Sequence, residues 1–179
     1  MLGRRFVFLA LLAGATLLEQ LIAPHASAAA VPTAVFGFEM FDDTEDQRAD
    51  VRAEQAERIK LVNAELTRLL GDSGEMAPVD LSPAAARIAE LAPLYNCNGC
   101  EAEIATAAGA QLEVVGMVRK ISTLILQLTL QVRQVGGQEK VLRVGHVDIR
   151  GNTDESWMRG MRYLVKNRIL APGQPALGQ

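Results

Sequence analysis

The sequence has few aromatic residues and few side chains suited to metal or redox chemistry. Only 4% of its 179 residues are aromatic, and it contains two cysteines and two histidines. A structural zinc site needs about four ligands, which this set does not supply. The sequence also has no glycine-rich pattern for cradling phosphate and no serine in a nucleophile elbow. These absences predict a protein that is not an enzyme and that holds no cofactor and no metal.

The sequence also has no excess of positive charge. The 18 Lys and Arg residues and 21 Asp and Glu residues give a formal net charge of −3, which argues against nucleic-acid binding. Beyond the N-terminal region, no apolar run approaches the length of a membrane span. With 49% hydrophobic and 22% charged residues, the remainder has the composition of one globular domain.

The N-terminus has the three parts of a secretory signal peptide. Arg4 and Arg5 precede an apolar run over residues 6–18, and Ala26-Ser27-Ala28 fits a cleavage site. We therefore predict a signal peptide over residues 1–28, a single domain over 29–171 and a flexible tail over 172–179. The mature protein is expected in the periplasm without a membrane span. A retained N-terminal anchor is the alternative.

The first half of the predicted domain alternates strands with helices. Residues 34–40 form an apolar run typical of a buried strand, and Thr44-x-x-Gln47 has the form of a capping box. Apolar residues at three- and four-residue spacing predict a long amphipathic helix from Val51 to a C-cap at Gly71. A short strand over 76–79, a helix opened by Ser82-Pro83 and a helix over 101–108 follow.

The second half changes to the two-residue period of strands. Residues 112–118 are almost continuously apolar, and from Leu124 leucines alternate with polar residues up to Arg133. Gly136-Gly137 predicts a tight turn into an antiparallel strand over 140–149, with a bulge near Gly145-His146.

A final helix follows the last strand. Asn152-x-x-Glu155 reads as its capping box, and its buried stripe is Trp157, Met161, Leu164, Val165 and Ile169. The fold class is therefore α/β (α+β), with the order β-α-β-α-α-β-β-β-α. We predict one mixed sheet of about five strands with helices packed on it, and Trp157 in one core with Leu126, Leu128 and Leu130.

Cys97 and Cys100 form the one motif with recognised chemistry. A C-x-x-C pair at a helix N-terminus can be redox-active, because the free amides stabilise a thiolate. The motif comes late in the chain, however, and no second cysteine pair completes a zinc site. A structural disulfide is the favoured interpretation, with a redox-active pair and an intermolecular metal or thiol site as alternatives.

Other polar groups have simpler interpretations. The acidic residues around the first helix start are better explained by helix capping than by cation binding; they are Asp42, Asp43, Glu45, Asp46 and Asp50. His146 has no partner histidine after signal cleavage, so a surface or hydrogen-bonded role is favoured over acid–base chemistry. Basic residues along strand ends are interpreted as a solvated strip; they are Arg119, Lys120, Arg143 and Arg150.

Two segments carry a resemblance to a known family. Residues 109–118, Gly-Ala-Gln-Leu-Glu-Val-Val-Gly-Met-Val, and the opening residues 34–38 resemble the TolB N-terminal-like domains and the related CsgG-like exported bacterial proteins. The C-x-x-C turn and residues 148–157 are most similar to a set of uncharacterised predicted periplasmic proteins. The resemblance implies a mixed α/β domain that binds proteins in the cell envelope and transfers no catalytic residue.

The favoured function is thus that of an exported, soluble periplasmic accessory domain that binds another periplasmic or envelope protein. A periplasmic thiol-disulfide redox protein that uses Cys97 and Cys100 is the main alternative. A binder of a small ligand in a cleft beside the sheet is a third.

Overall fold

The computed structural model describes residues 29–42, 44, 48–97, 99–136 and 140–177. Its strands are β1 (Val31–Asp42), β2 (Met76–Pro78), β3 (Leu112–Lys120), β4 (Ile125–Gln134) and β5 (Val141–Arg150). They form one five-stranded sheet in the order β2-β1-β3-β4-β5. Strand β1 runs parallel to both of its neighbours, whereas β3, β4 and β5 form an antiparallel meander. The sheet is therefore mixed, as predicted.

Four α-helices connect and cover these strands. They are α1 (Ala49–Asp72), α2 (Ala85–Leu91), α3 (Cys100–Ala107) and α4 (Asp154–Leu164), and α4 continues as a π-helical turn over Val165–Ile169. Short 3-10 turns at Ser82–Ala84 and Leu94–Asn96 precede α2 and α3. The α+β class and the order of strands and helices are confirmed.

Helices α1 and α4 pack on one side of the sheet, which we call the inner face. Alternate residues of β4 are fully buried there: Leu126, Leu128, Leu130 and Val132. The predicted stripe of the last helix joins the same core, with Trp157, Met161 and Leu164 at 0% exposure. The predicted common core of Trp157 and the β4 leucines is confirmed.

Glycine lets the last helix approach the sheet closely. A Cβ atom on Gly145 would lie 2.5 Å from Cβ of Arg168 and 2.9 Å from Cδ1 of Leu164, so the backbone of β5 lies almost against the helix. Gly145 is therefore a regular inward position and not a bulge. The irregular register lies earlier, opposite Val132 and Arg133, and the predicted bulge at Gly145-His146 is wrong.

Two predicted ends of α1 also differ from the structure. The helix begins at Ala49, and Thr44 donates its backbone N–H to Oδ1 of Asp42 at 2.9 Å instead of capping the helix. Gln47, the other half of that predicted capping box, lies outside the described residues. The helix ends at Asp72 and the left-handed glycine is Gly74, not Gly71. The turn after α1 needs a residue with positive φ, which favours glycine. Gly71 and Gly74 both fit that pattern in the sequence, and the structure uses Gly74.

Helix α4 does begin with a capping box, one residue away from the predicted one. The Ser156 N–H donates to Oγ1 of Thr153 at 3.2 Å, and the Thr153 N–H donates to Oγ of Ser156 at 3.0 Å. Asn152 is left to accept the indole N–H of Trp157 at 2.9 Å, which satisfies the polar atom of a buried ring.

Ion pairs on exposed surfaces join α1 to α4. Glu65 accepts hydrogen bonds from Nε of Arg162 at 2.9 Å and from Nε of Arg68 at 2.8 Å. These bonds stabilise the carboxylate and lower the pKa of Glu65 to about 2. Arg58 Nε makes a second link, to Oδ1 of Asp154 at 2.8 Å.

The four basic residues predicted to form a solvated strip are divided between the two faces. Arg119 and Arg150 are exposed, but Lys120 and Arg143 are buried on the inner face. Lys120 pairs with Oδ2 of Asp42 at 2.9 Å, and Arg143 pairs with Oε2 of Glu75 at 2.8 Å and donates to the carbonyl of Ile169 at 2.9 Å. The strip interpretation is wrong, because strand alternation turns every second side chain inward.

Among the acidic residues predicted to cap the first helix, Asp42 accepts hydrogen bonds from Thr44 and Lys120. Burial alone would raise the pKa of its carboxyl, but hydrogen bonds from Thr44 and Lys120 outweigh burial and hold that pKa below its usual value. Asp50 lies in the first turn of α1, where a negative charge suits the helix dipole. Asp43, Glu45 and Asp46 lie outside the described residues.

Candidate functional site

The opposite side of the sheet, the outer face, is covered at one end. Helix α3 packs there against β1 and β3, where Ala34, Ala105 and Ala110 form a small second core. Towards β5, no described helix lies on this face, and His146 and Asp148 are exposed to solvent. The outer face therefore has a covered half beside β1 and an open half beside β5.

The two cysteines lie at the covered half and are joined. Cys97 and Cys100 form a disulfide that links the turn after Leu94–Asn96 to the first residue of α3. Gly99 between them has φ 97°, a conformation that favours glycine. The disulfide thus fixes the segment before α3 against the start of that helix.

A buried charged cluster lies beside the disulfide. Glu101, on α3 and 5% exposed, pairs through Oε1 with Nη1 of Arg133 on β4 at 2.8 Å. The same guanidinium lies 3.6 Å from Oε1 of Glu113 on β3, and its Nε donates to Gln131 at 2.9 Å. Sequence reasoning missed this cluster, because its members come from three elements that only the sheet register brings together.

Glu101 also touches the disulfide. Its Oε2 lies 3.1 Å from Sγ of Cys97. A disulfide sulfur has no proton to donate, so this is a close contact between a carboxylate and the bonded sulfur. In the reduced protein, the same negative charge would oppose formation of a thiolate at Cys97.

Cys97, Cys100 and Glu101 are also the group in the described residues whose ligand atoms lie close enough to hold a metal ion. Metals bind the thiolate form of cysteine, and both sulfurs are held in the disulfide. The oxidised protein therefore offers a single carboxylate at this position, which is already paired with Arg133.

A second carboxylate holds the turn that precedes the disulfide. Glu39 of β1 accepts the backbone N–H of Leu94 at 2.9 Å through Oε1 and that of Tyr95 at 3.3 Å through Oε2. The Tyr95 ring packs edge-on against Phe41, with ring centroids 5.7 Å apart. These contacts hold Leu94 and Tyr95 over the outer face, with a space between them and the strands of the sheet.

The space between this turn and the sheet is a cavity of about 120 Å³, which we call the outer-face cavity. Its floor is formed by the outer side of β1, β3 and β4, including Phe36, Val115 and Met117. Leu94 and Tyr95 form one wall, and Glu39, Glu101 and Arg133 supply charged groups. The disulfide-linked segment is therefore one wall of a partly enclosed, largely apolar site.

The edge strand β5 is the other accessible feature. In the described part of the chain, β4 is its sole strand neighbour, so one edge of β5 has no strand beside it. Val141 is 45% exposed and Val144 is 56% exposed along it. His146 lies on the outer face of this strand, as the surface interpretation predicted.

Among the residues that the structure describes, no helix combines the length and hydrophobicity needed to cross a bilayer. The structure defines an α+β domain. The inner face of its sheet is covered by α1 and α4, and its outer face is covered beside β1 and open beside β5. The chain belongs to the DUF3280 family, described as "Protein of unknown function (DUF2380)", which it matches over residues 31–169. No curated protein is significantly similar to it in sequence.

Three solved structures are similar in fold. The LpoB C-terminal domain from Salmonella enterica has 15% identity and a TM-score of 0.44, over 68% of this chain and 84% of that chain. The same domain from Escherichia coli has 13% identity and a TM-score of 0.46, over 68% and 83%. A PelC dodecamer from Paraburkholderia phytofirmans has 14% identity and a TM-score of 0.45, over 83% and 91%. Similarity at this level transfers no activity or partner to this chain.

Proposed function

We propose that the mature chain is an exported accessory domain of the cell envelope that binds another protein and catalyses no reaction. The observation that carries the proposal is the open edge of β5, ten residues long and bordered by β4 alone among the described strands. The resemblance to TolB N-terminal-like and CsgG-like domains, noted from residues 34–38 and 109–118, agrees with such a role.

An open strand edge has a direct physical consequence. Its unpaired N–H and C=O groups are a template for a strand of another chain. Proteins that do not use an edge protect it with proline, lysine, a bulge, an inward charge or a covering loop. Strand β5 contains no proline and no lysine, and its inward Arg143 and irregular register both lie near its start. From Val144 to Arg150 its pairing with β4 is regular. Main-chain bonds would supply affinity, and the alternating outer side chains would supply specificity.

Site-specific photocrosslinking tests this proposal. A photoreactive residue at Val144, on the β5 edge, is expected to give an adduct of one defined mass in the cells that produce the protein. The same residue at Lys60, on the exposed side of α1, is the matched control and is expected to give none. Replacing Val141 and Val144 by lysine should remove an adduct formed from His146. Equal labelling at Val144 and Lys60 would contradict a docking edge.

The compartment requires its own measurement. We propose that residues 1–28 are removed as a signal peptide and that the domain is released into the periplasm. Mass spectrometry of the protein freed by osmotic shock should then show an N-terminus at Ala29. An intact N-terminus in the membrane fraction would contradict both cleavage and the soluble state.

The thiol-disulfide alternative has one observation in its favour. Cys100 is the first residue of α3, where helix amides stabilise a thiolate. The contact of Glu101 with Cys97 opposes a thiolate at the other sulfur, so we favour a structural bond. Equilibration with a dithiol buffer should give a potential below about −300 mV. A value between about −120 and −270 mV would instead support the redox protein.

A further inference from the structure

The outer-face cavity extends to the strand next to the proposed docking edge. Gln131 and Thr129 of β4 line it, and they pair with Val144 and His146 of β5. Its floor and walls are mostly apolar, with Phe36, Leu94 and Val115 among the lining residues. Its charged lining residues are Glu39, Glu101 and Arg133. A site of this kind matches a ligand with an apolar stem and a charged tip, as opposed to a uniformly polar one.

The sign of that charge is negative. Two carboxylates, from Glu39 and Glu101, line the cavity, and Arg133 is the one cation in its lining, paired with Glu101 at 2.8 Å. Glu113 lies outside the lining, with its Oε1 3.6 Å from the same guanidinium. The cluster therefore keeps an excess of negative charge next to an apolar surface, where screening by water is weak. A cation entering the cavity would be attracted and an anion repelled.

Existing hydrogen bonds leave acceptor capacity for such a cation. Each oxygen of Glu39 accepts one backbone N–H, from Leu94 or Tyr95. A carboxylate oxygen has two lone pairs, so each can accept one bond more. The cavity lining also includes Tyr95, an aromatic residue of the kind that attracts cations.

The size of the cavity restricts the ligand further. An apolar protein cavity of about 150 Å³ holds one benzene molecule, so a cavity of this order admits a single side chain. A guanidinium is broad and planar, and the guanidinium of Arg133 already pairs with Oε1 of Glu101. A compact ammonium on a methylene stem fits the same space better.

We propose that the outer-face cavity binds the alkylammonium end of a lysine side chain that the partner protein inserts beside the β5 edge. The proposal rests on the protein-binding function above. The methylene stem lies on Phe36, Val115 and Met117, and the ammonium donates to Glu39 and Glu101. The disulfide maintains the wall formed by Leu94 and Tyr95, so the cavity depends on the oxidised pair.

Three probes of equal length test the charge preference: n-hexylammonium, 1-hexanol and hexanoate, titrated into the mature domain and followed by amide chemical shifts. We expect n-hexylammonium to bind at least about tenfold more tightly than hexanoate, with 1-hexanol between them, and to weaken as salt is raised. Shifts should concentrate at β1, β3 and the turn around Tyr95. Equal binding of all three probes would overturn the proposal.

Two matched variants place the site. Thr129 lines the cavity from β4, whereas Gln127, two residues away on the same face, does not. Thr129→Phe should fill the cavity and abolish n-hexylammonium binding, and Gln127→Phe should leave it unchanged. Since both residues project from the outer face, neither change disturbs the inner core, and unchanged far-UV circular dichroism checks the fold. Retained binding in Thr129→Phe would overturn the assignment.

The crosslinking experiment separates this proposal from the function on which it rests. With Thr129→Phe, the adduct at Val144 should fall at least about tenfold, while Gln127→Phe should retain it. An unchanged adduct together with lost n-hexylammonium binding would overturn the partner lysine and leave the docking edge intact. No adduct in the unmodified protein, with n-hexylammonium still bound, would instead contradict the docking function.

Discussion

The two faces of the sheet differ in what their side chains do. On the inner face, the leucines of β4 and the stripe of α4 share one buried core, and the buried charges there, Lys120 and Arg143, pair with Asp42 and Glu75. On the outer face, charges from three elements meet beside a cavity and a disulfide, and half of the surface is open. The inner face accounts for the stability of the fold, and the outer face contains the features that a partner could recognise.

The largest difference between the faces should appear when side chains of β4 are shortened to alanine. Leu128→Ala removes a fully buried side chain and should lower the free energy of unfolding by about 2–5 kcal/mol. Gln127→Ala, the adjacent outer residue, should cost less than about 0.5 kcal/mol. Urea unfolding followed by Trp157 fluorescence measures both. Similar losses for the two variants would mean that the faces are wrongly assigned.

A smaller effect is expected where helix and sheet are closest. Gly145→Ala places a methyl group 2.5 Å from Cβ of Arg168, which is not a flexible end, so the helix must shift. We expect a loss of about 1–3 kcal/mol. Val144→Ala, at the neighbouring exposed position, should cost less than about 1 kcal/mol. Thermal unfolding compares the pair, and an unchanged Gly145→Ala variant would show that the approach is looser than described.

The disulfide should matter locally. It closes a loop of four residues, so Cys97→Ser together with Cys100→Ser should cost at most about 2 kcal/mol. Hydrogen exchange is expected to accelerate at Leu94 and along α3 and to stay unchanged at Leu128 on the inner face. Uniform acceleration over both faces would instead give the disulfide a global role.

The smallest predicted effect depends on pH. Because the folded-state pKa of Glu65 is about 2 against an ordinary value of 4.5, its stabilising contribution is present above pH 4.5 and is lost as pH falls towards 2. Glu65→Gln should therefore cost up to about 1 kcal/mol at pH 7, since the group is near the surface. The two proteins should converge in acid. A constant gap down to pH 2 would contradict the role of the charge.

Sequence periodicity was sufficient for the inner face and insufficient for the outer one. The alternation of leucines in β4 and the stripe of α4 depend on local spacing, so the element order and the core around Trp157 were predictable. Helix ends were misplaced by one to a few residues, because neighbouring residues such as Asn152 and Thr153 can both cap a helix.

The candidate site was predictable at the cysteines alone. Their disulfide was predicted from a C-x-x-C pair in a chain expected to be exported, and the structure has that bond. Glu39, Glu101 and Arg133 are ordinary charged residues far apart in sequence. Only the parallel pairing of β1 with β3 and the packing of α3 bring them to one cavity. The one local signal that could have indicated it is a glutamate, Glu101, that directly follows the second cysteine in a helix of mostly small residues.

The topology of the sheet also sets an order for folding. Strands β3, β4 and β5 are joined by short turns and can pair as soon as they are made. Strand β1, in contrast, pairs with the central strand β3, which comes far later in the chain. Long-range pairing is slow because the loop between the strands must first be closed. The C-terminal meander should therefore form early and wait with one side of β3 unpaired. The N-terminal strand then completes the sheet last, so a chain still being threaded through a membrane would remain unfolded until its final third has emerged.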